Sequence, residues 1–111
     1  MRITNYQGFV SQIDSALKSR RPLSGQLELT YRCNLDCVHC YCKGSVTSEA
    51  ELTFGQWRDI LDTLHKEGCL WLTLTGGEPM VRDDFFEIAR HARSSDYAIR
   101  IFTNALLIDE K

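Results

Sequence analysis

The sequence lacks any long apolar run, and no uninterrupted apolar stretch approaches the roughly 18 residues of a membrane-spanning helix. Asp14 and Lys18 interrupt the apolar residues near the N-terminus, which argues against a secretory signal peptide. A charge excess is lacking too, since 13 basic side chains stand against 15 acidic ones and the net charge is -2. This balance favours neither a nucleic acid nor an anionic membrane as a partner. We therefore expect a cytoplasmic protein.

An even set of cysteines, as a disulfide framework would need, is missing as well. Five cysteines occur in the 111 residues, and three of them lie close together at Cys33, Cys37 and Cys40. This odd and clustered set fits metal ligation in a reducing compartment better than disulfide bonding. Hydrophobic residues make up 43% of the chain and charged residues 25%, which is ordinary for one globular domain.

Helical and strand-like periodicities alternate along the chain. The predicted elements are a helix over 5–19, a strand over 26–31, a helix over 53–68, a strand over 70–75, a helix over 83–95 and a strand over 98–103. A capping box that starts at Thr53 should begin the second helix, and Asp83 should cap the third. In that third helix, Phe86, Ala89 and the aliphatic stem of Arg90 should face inward.

The order of strands and helices, with long connections, predicts right-handed parallel βαβ units. The predicted fold class is therefore α/β, with parallel βα repeats. Glycine, serine and threonine residues predict irregular backbone over 44–52, and Leu106 and Leu107 look like the start of another helix. We divide the chain into an N-terminal helix with its lead-in, residues 1–24, and an α/β portion, residues 25–111.

One face of the predicted sheet is largely polar. Its members are Glu28, Thr30, Thr73, Thr75, Arg100 and Asn104. Buried parallel strands are usually apolar on both faces, so a wet cavity on this side, with the helices on the other, accounts for the pattern. Ligands of βα folds sit at the carboxyl ends of the strands. The cysteine loop, the turn over 76–79 and Asn104 should therefore meet there.

Three thiols on one short loop suit a metal centre, and the spacing alone leaves the metal open. A tetrahedral zinc site normally needs four protein ligands, so zinc would have to recruit Cys42 as well. An iron-sulfur cluster held by three cysteines would instead keep one iron free for a ligand that is not protein. From the residues themselves, an enzyme and a non-catalytic zinc- or iron-sulfur-binding module both remain candidates.

Two motifs together carry a family resemblance. The loop Cys-x3-Cys-x2-Cys at 33–40 follows a strand, and Thr-Gly-Gly-Glu-Pro at 75–79 ends the next one. The pair closely resembles the radical S-adenosylmethionine (SAM) enzymes. Leu-Glu-Leu-Thr-Tyr-Arg at 27–32 and Tyr41 are most similar to the SPASM-type branch, which modifies peptides and cofactor precursors. The resemblance implies the first half of a partial (β/α)6, TIM-like barrel, cut after the third strand.

The resemblance also implies an enzyme and its cofactors. Cys33, Cys37 and Cys40 would ligate three irons of a 4Fe-4S cluster, and SAM would chelate the fourth iron through its amino and carboxylate groups. An electron donor such as flavodoxin or ferredoxin would then allow the formation of a 5′-deoxyadenosyl radical. In the family this radical abstracts hydrogen from the substrate, which here would be a peptide or a cofactor precursor.

Five further residues would contact SAM in such an enzyme. His39 stands where the family usually carries an aromatic residue that lines the adenine pocket. Gly76 and Gly77 would let the backbone approach the methionine end of SAM, and Glu78 would accept a hydrogen bond from its amino group. Asn104 resembles the Thr-Asn-Gly that often ends the third strand, although the residue after it is an alanine.

A half-barrel would leave an open sheet edge. Such an edge invites pairing with another chain, so we expect self-association. We also expect these residues alone to be an incomplete catalyst, because the part of SAM that rests on later strands would have no partner.

Overall fold

A computed structural model of the chain describes residues 5–43 and 50–109. The elements in these residues are α1 (Tyr6–Lys18), β1 (Ser24–Glu28), α2 (Phe54–Lys66), β2 (Trp71–Thr75), a 3-10 turn (Pro79–Val81), α3 (Phe85–Ser94) and β3 (Ala98–Ile101). Their order is the predicted one. Most of the irregular segment predicted over 44–52 lies outside the described residues. Leu106 and Leu107 form a turn, so the helix expected to start there is not observed in the described residues.

The strands form one parallel sheet in the order β1-β2-β3. Ser24 pairs with Trp71, and Trp71 pairs with Ala98, so the three strands begin level with one another. A helix connects each strand to the next, α2 between β1 and β2 and α3 between β2 and β3. The predicted α/β class and its parallel βα repeats are confirmed.

The first strand is shorter than its alternation predicted. It ends at Glu28, and the carbonyl oxygens of Thr30 and Arg32 then accept hydrogen bonds from the amides of Gly77 (2.8 Å) and Glu78 (2.9 Å). Through these bonds residues 30–32 bind the turn after β2 and do not continue the strand. The third strand is also shorter than predicted, because Thr103 and Asn104 bond to Glu78 in the same turn.

The hydrophobic core lies between the sheet and helices α2 and α3. Leu72 and Leu74 of β2 are almost fully buried on the face predicted to carry the helices. The remaining buried members of this core are Leu29, Trp57, Leu61, Cys69, Phe85, Ile88, Ala92 and Tyr97. The Tyr97 hydroxyl donates to the carbonyl oxygen of Leu61 at 2.5 Å, which satisfies its polar group inside the core.

The two core helices begin differently. In α2 the Thr53 hydroxyl accepts from the Gln56 amide (3.3 Å) and the Gln56 side chain accepts from the Thr53 amide (2.9 Å), so the predicted capping box is confirmed. In α3 the predicted cap is wrong. The N-cap residue is Asp84 and not Asp83, and its carboxylate binds Arg82 at 2.7 Å instead of capping the helix.

The buried face of α3 is also rotated relative to the prediction. Phe85, Ile88 and Ala92 are buried, whereas Phe86 is 56% exposed and Arg90 is exposed. Of the residues predicted to face inward, only the alanine packs against the core. Because Phe85 and Phe86 are adjacent, the sequence pattern allows either one to face the core. The residue at which the helix begins decides which one does.

The opposite face of the sheet carries polar side chains in register. Gln26 pairs with Thr73 and Thr73 with Arg100, and these residues border a cavity of about 480 Å³. This arrangement agrees with the predicted polar face. Thr30 and Thr75 are exceptions, because they are only 2% and 3% exposed, and Thr30 also lies beyond the end of β1.

Helix α1 lies outside the core. None of its residues is buried, and its contact with the sheet includes the ring of Phe9, which meets Trp71 edge to face at 5.8 Å. The Asn5 side chain caps it by accepting from the Gly8 amide at 2.8 Å. Across 5–43 and 50–109, no helix combines the length and the apolar character needed to cross a membrane.

Candidate metal and cofactor site

The turn after β2 packs directly on the chain that follows β1. Gly76 has a φ of 151°, and a Cβ there would lie 2.3 Å from the carbonyl oxygen of Thr30. A Cβ on Gly77 would lie 2.4 Å from the carbonyl oxygen of Arg32. The packing of the protein on itself therefore requires both glycines. From the sequence we expected these glycines to allow a close approach of SAM. The contacts observed here are instead with the backbone of Thr30 and Arg32.

The three cysteines of the loop border one cavity. Cys33 and Cys37 are exposed, Cys40 is half-buried, and all three thiols are free. Together with Gly77 they line a space of about 580 Å³ beyond the carboxyl ends of β1 and β2. A hydrogen bond from the Cys40 amide to the Cys37 carbonyl (3.2 Å) curls the loop between these two thiols. The expected meeting of the cysteine loop and the glycine turn is therefore observed.

This donor set fits a cluster better than a single ion. A zinc ion would need four ligands that converge on a point. A 4Fe-4S cluster contains four irons at separate positions, so three thiols on the wall of one cavity can each bind a different iron.

Cys42 has a different environment from the other three cysteines of this region. It is 7% exposed, and its thiol donates to the carbonyl oxygen of Gly76 at 3.7 Å. Cys42 also borders the cavity, but ligation of a metal would break its contact with the glycine turn. The contact therefore favours the prediction that Cys42 is not a ligand.

Asn104 joins the end of β3 to the cysteine loop. Its Nδ2 donates to Oδ1 of Asn34 at 2.8 Å, and its Oδ1 accepts from the Leu106 amide at 3.0 Å. The following residue, Ala105, has a φ of 65°, which is the left-handed conformation that glycine adopts freely. The backbone geometry that the family's glycine would provide is thus present with an alanine in its place.

The Glu78 carboxylate is buried and already bonded to protein. The side chain is 1% exposed, and Oε1 accepts from the Met80 amide (2.9 Å) and from the Thr103 hydroxyl (2.9 Å). Oε2 accepts from the same hydroxyl (3.0 Å) and from the Asn104 amide (2.8 Å). Glu78 therefore ties the turn after β2 to the chain after β3. Its predicted bond to the SAM amino group stays a prediction.

His39 lies in the cysteine loop and is exposed. Neither His39 nor Glu78 nor Asn104 is among the residues that line the cavity. The stacking of His39 on adenine therefore also stays a prediction.

Sequence reasoning missed three residues that hold the site together. The Asn34 side chain accepts a hydrogen bond from Asn104 Nδ2. The Glu51 carboxylate accepts hydrogen bonds from Arg32 and from Arg82. Asn34 falls inside the cysteine motif, which assigns a role only to the three cysteines. Arg82 belongs to no motif, and apart from Asp84 its hydrogen-bond partners Leu29, Glu51 and Leu52 lie at least 30 positions away along the chain.

The chain was compared with known proteins. The family model described as the radical SAM superfamily matches residues 27–111. The mycofactocin maturase MftC of Mycolicibacterium smegmatis is 35% identical over 99 residues, which cover 89% of this chain and 25% of the relative. The PqqA peptide cyclase of Rhodopseudomonas palustris is 37% identical over 93 residues, covering 81% of this chain and 24% of the relative. The chain thus spans about a quarter of the length of these relatives.

The fold is also similar to a solved structure. Streptococcus suis SuiB bound to S-adenosylmethionine matches with a TM-score of 0.73 and 22% sequence identity, over 94% of this chain and 25% of that one. This likeness confirms the predicted TIM-like architecture. The two relatives, a maturase and a peptide cyclase, agree with the predicted branch.

Proposed function

Because the chain belongs to the radical SAM superfamily, we propose that it forms the cluster-binding part of a radical SAM enzyme. The observation that carries this proposal is the shared cavity: the thiols of Cys33, Cys37 and Cys40 border one space, with Gly77 on its wall. When bound there, a 4Fe-4S cluster and SAM supply the one-electron chemistry that starts hydrogen abstraction from a substrate.

The chain itself would hold and orient the cluster and SAM. Cys33, Cys37 and Cys40 would bind three irons as thiolates, which leaves one corner of the cluster for SAM. Cys42 would keep the loop against the glycine turn through its contact with the Gly76 carbonyl. The relative positions of loop and turn would thus be fixed before any cofactor binds.

The SAM contacts are part of the same proposal. Gly77 borders the cavity, so its backbone is available to the methionine end of SAM. A carboxylate offers about four acceptor positions, and Glu78 uses three of them on the Met80 amide, the Thr103 hydroxyl and the Asn104 amide if the shared hydroxyl is counted once. A contact with the SAM amino group would occupy the last one. His39 and Asn104 complete the proposed set.

We extend the proposal to substrate and partners on the relatives' names. The PqqA peptide cyclase is named for a peptide, and SuiB was solved bound to the precursor peptide SuiA. A peptide or cofactor precursor is therefore the substrate class that we propose, with a flavodoxin or ferredoxin as electron donor in the cytoplasm. In the described sheet β1 and β3 are the outer strands, which supports self-association through an edge. The division at residue 24 belongs to the proposal as well.

The test is anaerobic reconstitution of the chain with iron and sulfide, followed by iron, sulfide and zinc analysis. The wild type should bind about four irons, as one 4Fe-4S cluster requires. Cys33→Ala, Cys37→Ala and Cys40→Ala should each lose the cluster. Cys42→Ala, the matched control, should keep it. Loss of iron in Cys42→Ala equal to that in the other variants would overturn the three-ligand assignment, and stoichiometric zinc with no iron would support a zinc module instead.

A further inference from the structure

The cysteine loop leaves the sheet after Leu29 and returns at Glu51 and Leu52, and one side chain connects these two ends. Arg82, from the segment that follows the 3-10 turn, donates from Nη1 to the carbonyl oxygen of Leu29 at 3.0 Å. It also donates from Nη2 to the carbonyl oxygen of Leu52 at 2.8 Å. We call these residues, with Thr30 and Glu51, the neck of the loop.

The guanidinium is almost completely withdrawn from water, with 6% of its side chain exposed. Its Nε and Nη2 bind the two Asp84 oxygens at 2.8 and 2.7 Å, and Nη1 also reaches Glu51 at 3.4 Å. A buried guanidinium is stable only when its charge is paired and its donors are used. The guanidinium of Arg82 meets this condition only when the carbonyl oxygens of Leu29 and Leu52, at the two ends of the loop, accept its hydrogen bonds.

A second layer of contacts closes the neck. The Thr30 hydroxyl donates to the Glu51 carboxylate and accepts from the Arg32 amide at 3.0 Å. Arg32 Nη2 reaches the same carboxylate at 3.4 Å. Burial raises the pKa of Glu51, but the hydrogen bonds from Thr30 and Arg32 outweigh it, and the pKa lies below its ordinary value. Glu51 is therefore held as the anion that Arg82 requires.

The neck is continuous with the cofactor site. Arg32 directly precedes Cys33, and its carbonyl oxygen accepts from the Glu78 amide at 2.9 Å. A displacement of the neck would therefore move the start of the cysteine loop and the glycine turn together. Arg82 is not among the residues that line the cavity, so its effect on the cluster is indirect.

We propose that Arg82 is a positioning residue for the cysteine loop: it holds the departing and returning ends of the loop at a fixed spacing and so sets where the three thiols stand. This inference rests on the proposed function for its meaning, but it can be tested without a cluster. A lysine cannot replace the residue, because one ammonium group cannot reach Leu29, Leu52 and both Asp84 oxygens at once.

The test compares Arg82→Gln and Arg82→Lys with a control, Arg58→Gln, which removes an exposed arginine that pairs with Asp59. Hydrogen exchange is measured on the metal-free chain. In Arg82→Gln the amides of Arg32 and Glu78 should exchange at least tenfold faster, whereas the amide of Leu61 inside α2 should change much less. Arg82→Lys should lie between the wild type and Arg82→Gln, and Arg58→Gln should match the wild type. An equal acceleration at all three amides would show a general loss of stability and overturn the proposal.

A second readout follows the reconstituted chain. Arg82→Gln should release iron to a chelator at least fivefold faster than the wild type and Arg58→Gln, with all the cysteines intact. If the wild type binds no cluster, the proposed function fails while the exchange experiment still decides the role of Arg82. If the wild type binds a cluster and Arg82→Gln keeps it equally long at unchanged exchange rates, the positioning role fails alone.

Discussion

Replacing Glu78 by glutamine tests whether this buried carboxylate holds the site together. The glutamine keeps one acceptor oxygen and turns an NH2 group toward either the Asn104 amide or the Met80 amide, so one of these two buried donors loses its partner. A hydrogen bond to a charged group contributes roughly 1.5 to 3 kcal/mol, and an unpaired buried donor costs a similar amount. Since Glu78 is 1% exposed, solvent does not screen these bonds. We expect Glu78→Gln to lower the free energy of unfolding by about 3 kcal/mol.

The assay is denaturant unfolding of the metal-free chain, supported by calorimetry. A loss of this size should lower Tm by roughly 13 °C in a chain of this length. Glu87→Gln, an exposed acid on α3, is the matched control and should shift the free energy by less than about 0.5 kcal/mol. A double-mutant cycle with Thr103→Val should show coupling of at least about 0.5 kcal/mol, because the two side chains are in direct contact.

The result that would refute this reasoning is a Glu78→Gln chain as stable as the wild type. If its SAM affinity nevertheless fell by about 1.5 to 3 kcal/mol with the cluster intact, Glu78 would be a ligand of SAM and not a brace between β2 and β3.

Three other predictions concern backbone strain and pH. Gly76→Ala should destabilise the fold by about 3 kcal/mol or more, because the new Cβ would lie 2.3 Å from a carbonyl oxygen. Ala105→Gly should stabilise the fold by up to about 1 kcal/mol, because glycine adopts a φ of 65° without strain. Denaturant unfolding of both variants checks this, and a stable Gly76→Ala chain would contradict the packing described. The hydrogen bond from Arg82 lowers the pKa of Asp84, so stability should fall as the pH drops below about 4, and Asp84→Asn should flatten that acid limb; an unchanged limb would count against the ion pair. Burial raises the pKa of Tyr97 to about 12, so its stabilising contribution is complete below about pH 10 and is lost as the pH rises toward 12, a loss that Tyr97→Phe should abolish.

The location of the site could be predicted from the sequence because it depends on local features. The spacing of Cys33, Cys37 and Cys40 and the glycines at 76 and 77 are visible along the chain, and parallel βα order places them at one edge of a sheet. The polar row of Gln26, Thr73 and Arg100 follows from strand alternation in the same way.

The parts that could not be predicted depend on partners distant in sequence. Arg82 binds a carbonyl 53 positions away, and the Glu78 carboxylate binds Thr103 across 25 positions. Two errors have similar causes: Arg82 binds the Asp84 carboxylate, which therefore does not cap α3, and Thr103 and Asn104 bond to Glu78 and do not extend β3. The reason for the two glycines was also hidden, because it lies in the backbone of Thr30 and Arg32.

The central claim is that three cysteines hold a cluster with one open corner. Its most direct test is a Mössbauer spectrum of the chain reconstituted with 57Fe, recorded with and without excess SAM. We expect one iron of the four to differ from the rest, and we expect its signal alone to shift when SAM is added. Four irons that stay equivalent and do not respond to SAM would contradict this claim and would point to Cys42 as a fourth protein ligand.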